Sequence, residues 1–265
     1  MSKKKKLERL YKKLGSLKAI SKELGVHDTT VGKWFKKYKI PYDHWNRSKS
    51  RKDFLNENFF EAPNYINKLY WIGFLAADGN VSKSINNIRI NLRKQDFAHL
   101  QKFLTDLKSS KQVKIYKGTN YAYACACVSS SKMKKDLVKY NILPQKTNNY
   151  KFPTILDNNT YINNYYLGYI DGDGCIRKTK NGQLSIDIRG TKLFLEKLRY
   201  DFWKRINLNI KYKHKKILLD NGTYRIFYGG NLNGAKIINW LYKDISDVSF
   251  RCLERKLNIA RQFIG

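Results

Sequence analysis

Acid is scarce in this chain. Its 265 residues carry 21 Asp and Glu against 53 Lys and Arg, a formal charge of +32. An imbalance of that size points to a polyanionic partner, because each phosphate that a protein neutralises releases condensed counterions. Cysteine and histidine are scarce too, at four each. Cys125, Cys127, Cys175 and Cys252 form no CxxC pair, and the histidines at 27, 44, 99 and 214 do not cluster with them, which argues against a zinc site. No disulfide framework is evident, which fits a reducing compartment, and the alternation of Cys125 and Cys127 reads as half-buried strand packing. No apolar run reaches 18 residues, and the basic residues are spread over the whole length rather than along one amphipathic helix. A membrane surface is therefore the weaker polyanion and nucleic acid the better one. The start, Met-Ser-Lys-Lys-Lys-Lys, leads into no apolar segment, so it is not a secretory signal, and its lysines read as a solvated tail. The expected location is intracellular: the cytoplasm of a prokaryotic or phage-infected cell, or an organelle.

What is present begins with 42% hydrophobic residues, enough for a folded core. Residues 1–52 hold 17 Lys and Arg against Glu8, Glu23, Asp28 and Asp43, a local balance of +13. Within them Leu17 to Lys37 reads as helix, tight turn, helix. Ile20, Leu24 and Val31 can close a small core, Ser21 is the small residue before the turn, and Gly25 supplies the positive φ of a sharp turn. Asp28 or Thr29 can cap the second helix. The segment (residues 1–45) resembles a helix-turn-helix DNA-binding unit, whose second helix enters the major groove. Thr29, Thr30 and Lys33 would then face bases, with Lys36 nearer the phosphates. Residues 46–63 read as a basic linker.

Two longer segments share one order of elements. In residues 64–153 a helix ending at Asp78 precedes paired strands, of which Ile88, Ile90 and Leu92 alternate with Arg89, Asn91 and Arg93. A helix (Phe97 to Leu107), two strands (112–116 and 121–128) and a helix from Ser131 follow. In residues 154–265 a helix ending at Asp173 precedes an Asn181-Gly182 hairpin signal and a strand in which Ser185, Asp187 and Arg189 alternate with apolar residues. A helix over 192–206, strands near 210–215 and 224–228, and a helix over 235–242 follow. The spacing predicts an α+β fold of two pseudo-symmetric αββαββα lobes, each sheet covered by helices on its apolar face. The open faces offer Arg89, Asn91, Arg93, Ser185, Asp187, Arg189, Lys211, Lys213 and Arg225 as DNA-contacting residues.

The two helices are nearly the same sentence: Leu69-Tyr-Trp-Ile-Gly-Phe-Leu-Ala-Ala-Asp-Gly79 and Tyr165-Tyr-Leu-Gly-Tyr-Ile-Asp-Gly-Asp-Gly174. Gly73 and Ala77 are four apart, as are Gly168 and Gly172, so each helix has a small-residue stripe that lets two backbones approach closely. Two carboxylates at negative helix ends are unfavourable unless a cation joins them. Convergence of Asp78 and Asp173 would make a site for a hard ion such as Mg²⁺. Asp171 has Ala76 as its counterpart and is not expected to be essential.

The paired runs resemble the duplicated motifs of single-chain LAGLIDADG homing endonucleases, over residues 64 to about 260. The resemblance implies a site-specific endonuclease whose two lobes form a saddle on double-stranded DNA with a long, pseudo-symmetric target. It implies phosphodiester hydrolysis with Mg²⁺ (Mn²⁺ as substitute) held by Asp78 and Asp173 with Ala77 and Gly172, each aspartate serving one strand. Basic groups near the metal are implied as well. Arg93 and Arg189 occupy equivalent places, and Lys146 and Arg251 are the catalytic candidates. A monomer is expected. Intron RNA maturase activity and a non-catalytic DNA-binding regulator are the alternatives; the latter leaves the duplicated helices unexplained. An intein is disfavoured by the start at Met1 and the end at Phe-Ile-Gly265.

Overall fold

The computed structural model describes residues 2–41, 53–118, 121–208 and 216–264 and divides into two compact units, 1–52 and 53–265. The first unit contains three helices: α1 (Lys3–Leu14), α2 (Leu17–Glu23) and α3 (Asp28–Lys37). The lysine run is thus helix rather than tail. Ser2 caps it by accepting from Lys5 N, and Leu7 is buried with Ile20, Val31, Phe35 and Ile40. Leu24 packs at the edge of this core, and Gly25 takes the turn at φ +63°. The cap of α3 is His27, whose Nδ1 accepts from Thr29 N, instead of Asp28 or Thr29. Thr29, Lys33 and Lys36 are exposed, and Thr30 is half-buried.

The second unit begins inside the segment read as linker. Phe59 and Phe60 are buried in its core, and Tyr140 Oη donates to Phe60 O. The first repeat runs α4 (Ile66–Asp78), β1 (Gly79–Val81), β2 (Asn87–Arg93), α5 (Phe97–Asp106), β3 (Lys114–Lys117), β4 (Ala122–Ser129) and α6 (Ser131–Val138). The second runs α7 (Ile162–Asp173), β5 (Gly174–Lys178), β6 (Leu184–Gly190), α8 (Lys192–Ile206), β7 (Ile217–Asp220), β8 (Thr223–Gly229) and α9 (Asn231–Leu241), then a final helix α10 (Glu254–Ala260). The two sheets are antiparallel with the same order, β1-β2-β4-β3 and β5-β6-β8-β7. Alternation explains them: Ile88, Ile90, Ala124, Ala126 and Val128 lie under one sheet, and Ile186, Ile188, Ile226 and Tyr228 under the other, all buried. The strand expected near 210–215 lies outside the described residues, and Asn221-Gly222, both at positive φ, turn β7 into β8. None of the described helices is long and apolar enough to cross a membrane.

Among the described elements, helices α4 and α7 pack together most extensively. Gly73 lies on the Tyr165 carbonyl and Gly168 on the Tyr70 carbonyl, so closely that a Cβ at either position would collide with backbone. The arrangement is reciprocal, as a two-fold relation of the repeats requires. Gly73→Ala or Gly168→Ala should therefore destabilise the second unit by about 3 kcal/mol, the upper range for overpacking against groups that cannot yield. Urea unfolding followed by tryptophan fluorescence measures this, and a loss below about 1 kcal/mol would contradict the packing.

Candidate active site

The seam ends where α4 and α7 pass into β1 and β5. Gly79 and Gly174 follow the two aspartates with negative φ, −73° and −113°. Their need for glycine is steric: a Cβ would press on the carbonyls of Leu75 and Ile170, at 2.5 and 2.6 Å. Gly172 has a different neighbour. A Cβ there would collide with Ala77 Cβ and stand 3.4 Å from Asp78 Cγ. The bare glycine leaves room for the Ala77 methyl of the opposite repeat, next to which Asp78 stands.

Asp78 opens to solvent and Asp173 is half-buried. The walls of the cleft remove part of the water around both. Desolvation, then the facing Asp78 charge, pushes the Asp173 carboxyl up to about 6. Desolvation raises Asp78 too, against the pull of Lys256, Lys146 and Arg255. Asp171 is a different group. Fully buried, it accepts from Tyr70 Oη at 2.8 Å and Leu253 N at 2.7 Å, and Tyr70 Oη also meets His99 Nε2 at 2.9 Å. It clamps α7 to α4 and to the chain before α10. Burial, against the charge of Lys256, lifts its carboxyl to about 6.

Two buried lysines flank the aspartates. Lys146 Nζ donates to the carbonyls of Ala77 (3.0 Å) and Gly79 (2.8 Å). Lys256 Nζ donates to those of Ile170 (2.6 Å), Asp171 (2.8 Å) and Gly174 (2.6 Å). Each ammonium thus satisfies the carbonyls that the end of a helix leaves without partners. A buried ammonium costs several kcal/mol of desolvation, and two or three charged hydrogen bonds of about 1.5–3 kcal/mol each offset that. The influence crosses the seam. The strongest opposite charge on Asp78 is Lys256, and on Asp173 it is Lys146.

Lys146 thus lies at the end of α4, and Arg251 does not stand opposite it. The position equivalent to Lys146 belongs to Lys256, and the two share a Leu-x-x-Lys spacing (Leu143 to Lys146, Leu253 to Lys256) that marks the register. Arg251 is committed to Asp106, by Nε at 2.8 Å and by a terminal nitrogen at 2.6 Å, and to the carbonyls of Val248 and Phe250. Asp106 also accepts from Trp71 Nε1 at 2.7 Å, so this cluster ties the chain after α9 to the first repeat.

On the open face of the first sheet Arg89, Asn91 and Arg93 are exposed, beside Cys127, Cys125 and Tyr123 on β4. Tyr123 stacks on Tyr116 of β3, with centroids 5.4 Å apart. The second face differs. Asp187 pairs with Arg225 (2.9 Å), Arg225 lies 3.6 Å from Asp220, and Asp220 holds Arg189 (2.8 Å). Ser185 is buried, accepting from Arg177 Nε at 3.2 Å, so it offers nothing to a partner as placed. Lys211 and Lys213 lie outside the described residues.

Among the described residues no group of three His, Cys, Asp or Glu converges as a metal cage. The donors at the seam are two carboxylates with nearby backbone carbonyls, without sulfur or imidazole. That set fits a hard divalent cation whose remaining ligands come from water and a phosphate.

No protein-family model matches the sequence, and no curated relative does. Several solved structures are similar. The LAGLIDADG meganuclease I-AabMI bound to uncleaved DNA is 14% identical, over 74% of this chain and 88% of that one, with TM-score 0.49. The homing endonuclease I-WcaI bound to its DNA recognition sequence is 15% identical, over 78% and 90%, with TM-score 0.49. The I-LtrWI LAGLIDADG homing endonuclease bound to target DNA is 13% identical, over 77% and 90%, with TM-score 0.47. Two of the three bear the LAGLIDADG name that the paired Asp-Gly runs suggested, and the third is named a homing endonuclease.

The raised carboxyls give a testable pH dependence. A folded-state pKa near 6 for Asp173, above its unfolded value, means that the folded protein holds a proton that the unfolded chain releases. Stability without divalent ions should thus fall as pH rises from about 4 to 6. Asp173→Asn should remove its own share of that fall, with Asp171 and Asp78 keeping theirs: the variant is the more stable above pH 6 and the two converge below pH 4. Thermal unfolding in EDTA across this range measures the difference, and parallel curves would contradict the raised carboxyl.

Proposed function

We propose that the chain is a LAGLIDADG homing endonuclease, a site-specific enzyme hydrolysing both strands of double-stranded DNA with a divalent cation. The observation that carries this reading is the doubling of the seam. Two like helices converge through reciprocal glycines, each ends in an aspartate, and each aspartate lies across from a buried lysine. A single duplicated acid–lysine arrangement suits a substrate with two similar, oppositely directed strands. The formal charge of +32 and the exposed arginines of the first sheet favour a phosphate backbone as what lies across it.

Asp78 and Asp173 would hold the cation, Mg²⁺ by the hardness of the donors, with the carbonyl groups of Ala77 and Gly172 beside it. When bound it would polarise the scissile phosphate and lower the pKa of water. Gly172 lets the two helix ends approach by leaving room for the Ala77 methyl beside Asp78. Lys146 and Lys256 fix the helix ends that carry the aspartates, and their charges keep both carboxyls ionised against the desolvation of the cleft. The sheet faces bind DNA, the first through Arg89, Asn91 and Arg93 and the second through arginines already oriented by Asp187 and Asp220. The N-terminal unit adds contacts from Thr29, Thr30, Lys33 and Lys36 of α3. The protein would act as an intracellular monomer.

Selection of cleaved sites from a random DNA library in Mg²⁺ tests the activity and returns the target. On that target, Asp78→Asn or Asp173→Asn should abolish double-strand cleavage while binding in Ca²⁺ stays within about threefold, since only the transition state loses an interaction. Undiminished cutting by either variant would overturn the assignment. Removing residues 1–52 should weaken binding and lower the slope of log K against log salt by several units, about one for each phosphate that the first unit neutralises. An unchanged slope would exclude a DNA-binding role for the first unit.

A further inference from the structure

The two ends of the seam are not chemically equal. Beside Asp78 lies an open cavity of about 810 Å³ lined by Asp78, Arg93, Lys94, Asp96 and Arg255. Arg255 directly precedes Lys256, and the residue directly preceding Lys146 is Gln145. The second repeat therefore sends a cation into the Asp78 cavity where the first repeat has an amide.

The hydrogen bonding shows what that cation is left to do. Lys256, whose charge acts most strongly on Asp78, has three protons and donates to three carbonyls. Lys146, whose charge acts most strongly on Asp173, donates to two. One lysine proton remains on the Asp173 side and none on the Asp78 side. Arg255 makes up the difference. Its Nε lies 3.3 Å from each oxygen of Asp96, while its two terminal amino groups have no hydrogen-bond partner among the described residues. The Asp96 side chain is nearly buried and the Arg255 side chain about half exposed, so the carboxylate fixes the root of a fork whose tines reach the cavity.

We propose that Arg255, oriented by Asp96, binds the scissile phosphate at the Asp78 end of the seam and has no counterpart next to Lys146, while Arg189 on the Asp173 side is bonded to Asp220, so that the chain cuts its two strands by non-equivalent sites. This rests on the endonuclease reading and deepens it. Asp96 is a positioning residue, and the ligand is a phosphodiester in an open cavity with three cations, Arg93, Lys94 and Arg255.

The experiment uses the full chain and a duplex carrying the selected target, labelled separately on each strand. Arg255→Gln, which gives both repeats the same residue, should slow one strand by tenfold or more, roughly the worth of one charged hydrogen bond, and leave the other within about twofold. A nicked intermediate should then accumulate. A second readout needs no catalysis. In EDTA, a neutral methylphosphonate at one scissile phosphate should weaken wild-type binding, and the same substitution should matter at least threefold less to Arg255→Gln. Asp96→Asn should slow the same strand, by less. Equal slowing of both strands, no slowing, or equal methylphosphonate effects in the two proteins would overturn the proposal while leaving the endonuclease reading intact. A wild-type protein that cuts nothing in the library would overturn both.

Discussion

Everything at the candidate site depends on the distance between two helix backbones. α4 and α7 touch through Gly73 on the Tyr165 carbonyl and Gly168 on the Tyr70 carbonyl, with no side chain between them. A methyl group at either glycine would push the helices apart, and Asp78 would leave its place beside Gly172. Large residues close the contact from outside: Tyr70, Trp71, Phe74, Tyr165, Tyr166 and Tyr169 are all buried around it. Small residues at the axis and aromatics at the flank are two halves of one packing solution.

That closeness creates the electrostatic problem that the remaining residues answer. Two carboxylates at negative helix ends in a desolvated cleft repel each other, and Asp173 rises to about 6. Lys146 and Lys256 answer by bonding to carbonyls at the helix ends and by acting on the carboxylate across the seam. Asp171 answers differently, committing one oxygen, Oδ2, to both Tyr70 and the Leu253 amide to fasten the chain that delivers Lys256. One aspartate of the second motif holds the frame, and the other, Asp173, lies at the seam facing Asp78.

The repeat, the strand alternation and the two seam aspartates were legible because they are periodic or duplicated. What was not legible depended on cross-strand or long-range pairing. Alternation gives the face of Ser185 and Asp187 but not the burial of one or the arginine partner of the other. Lys256 was not singled out, although its Leu-x-x-Lys spacing is the one shared with Lys146. The helix α1 was missed because four lysines resemble a tail, yet Leu7, Leu10, Tyr11 and Leu14 recur at helical spacing, and the first of them is buried. His27 as a cap had no sequence signal beyond its place, since imidazoles are uncommon there.

The segment from the end of α9 into the first turn of α10 belongs by order to the second repeat, yet its anchors lie in the first: Asp106 holds Arg251 and Asp96 holds Arg255. The halves of this chain are therefore not interchangeable parts. A hybrid built by joining one repeat to a half from another protein would carry Arg251 and Arg255 without their acceptors, or leave Asp96 and Asp106 buried without their cations. Any recombination of specificities has to move this segment together with the face of α5 that receives it, a junction that the order of the sequence alone would place in the wrong half.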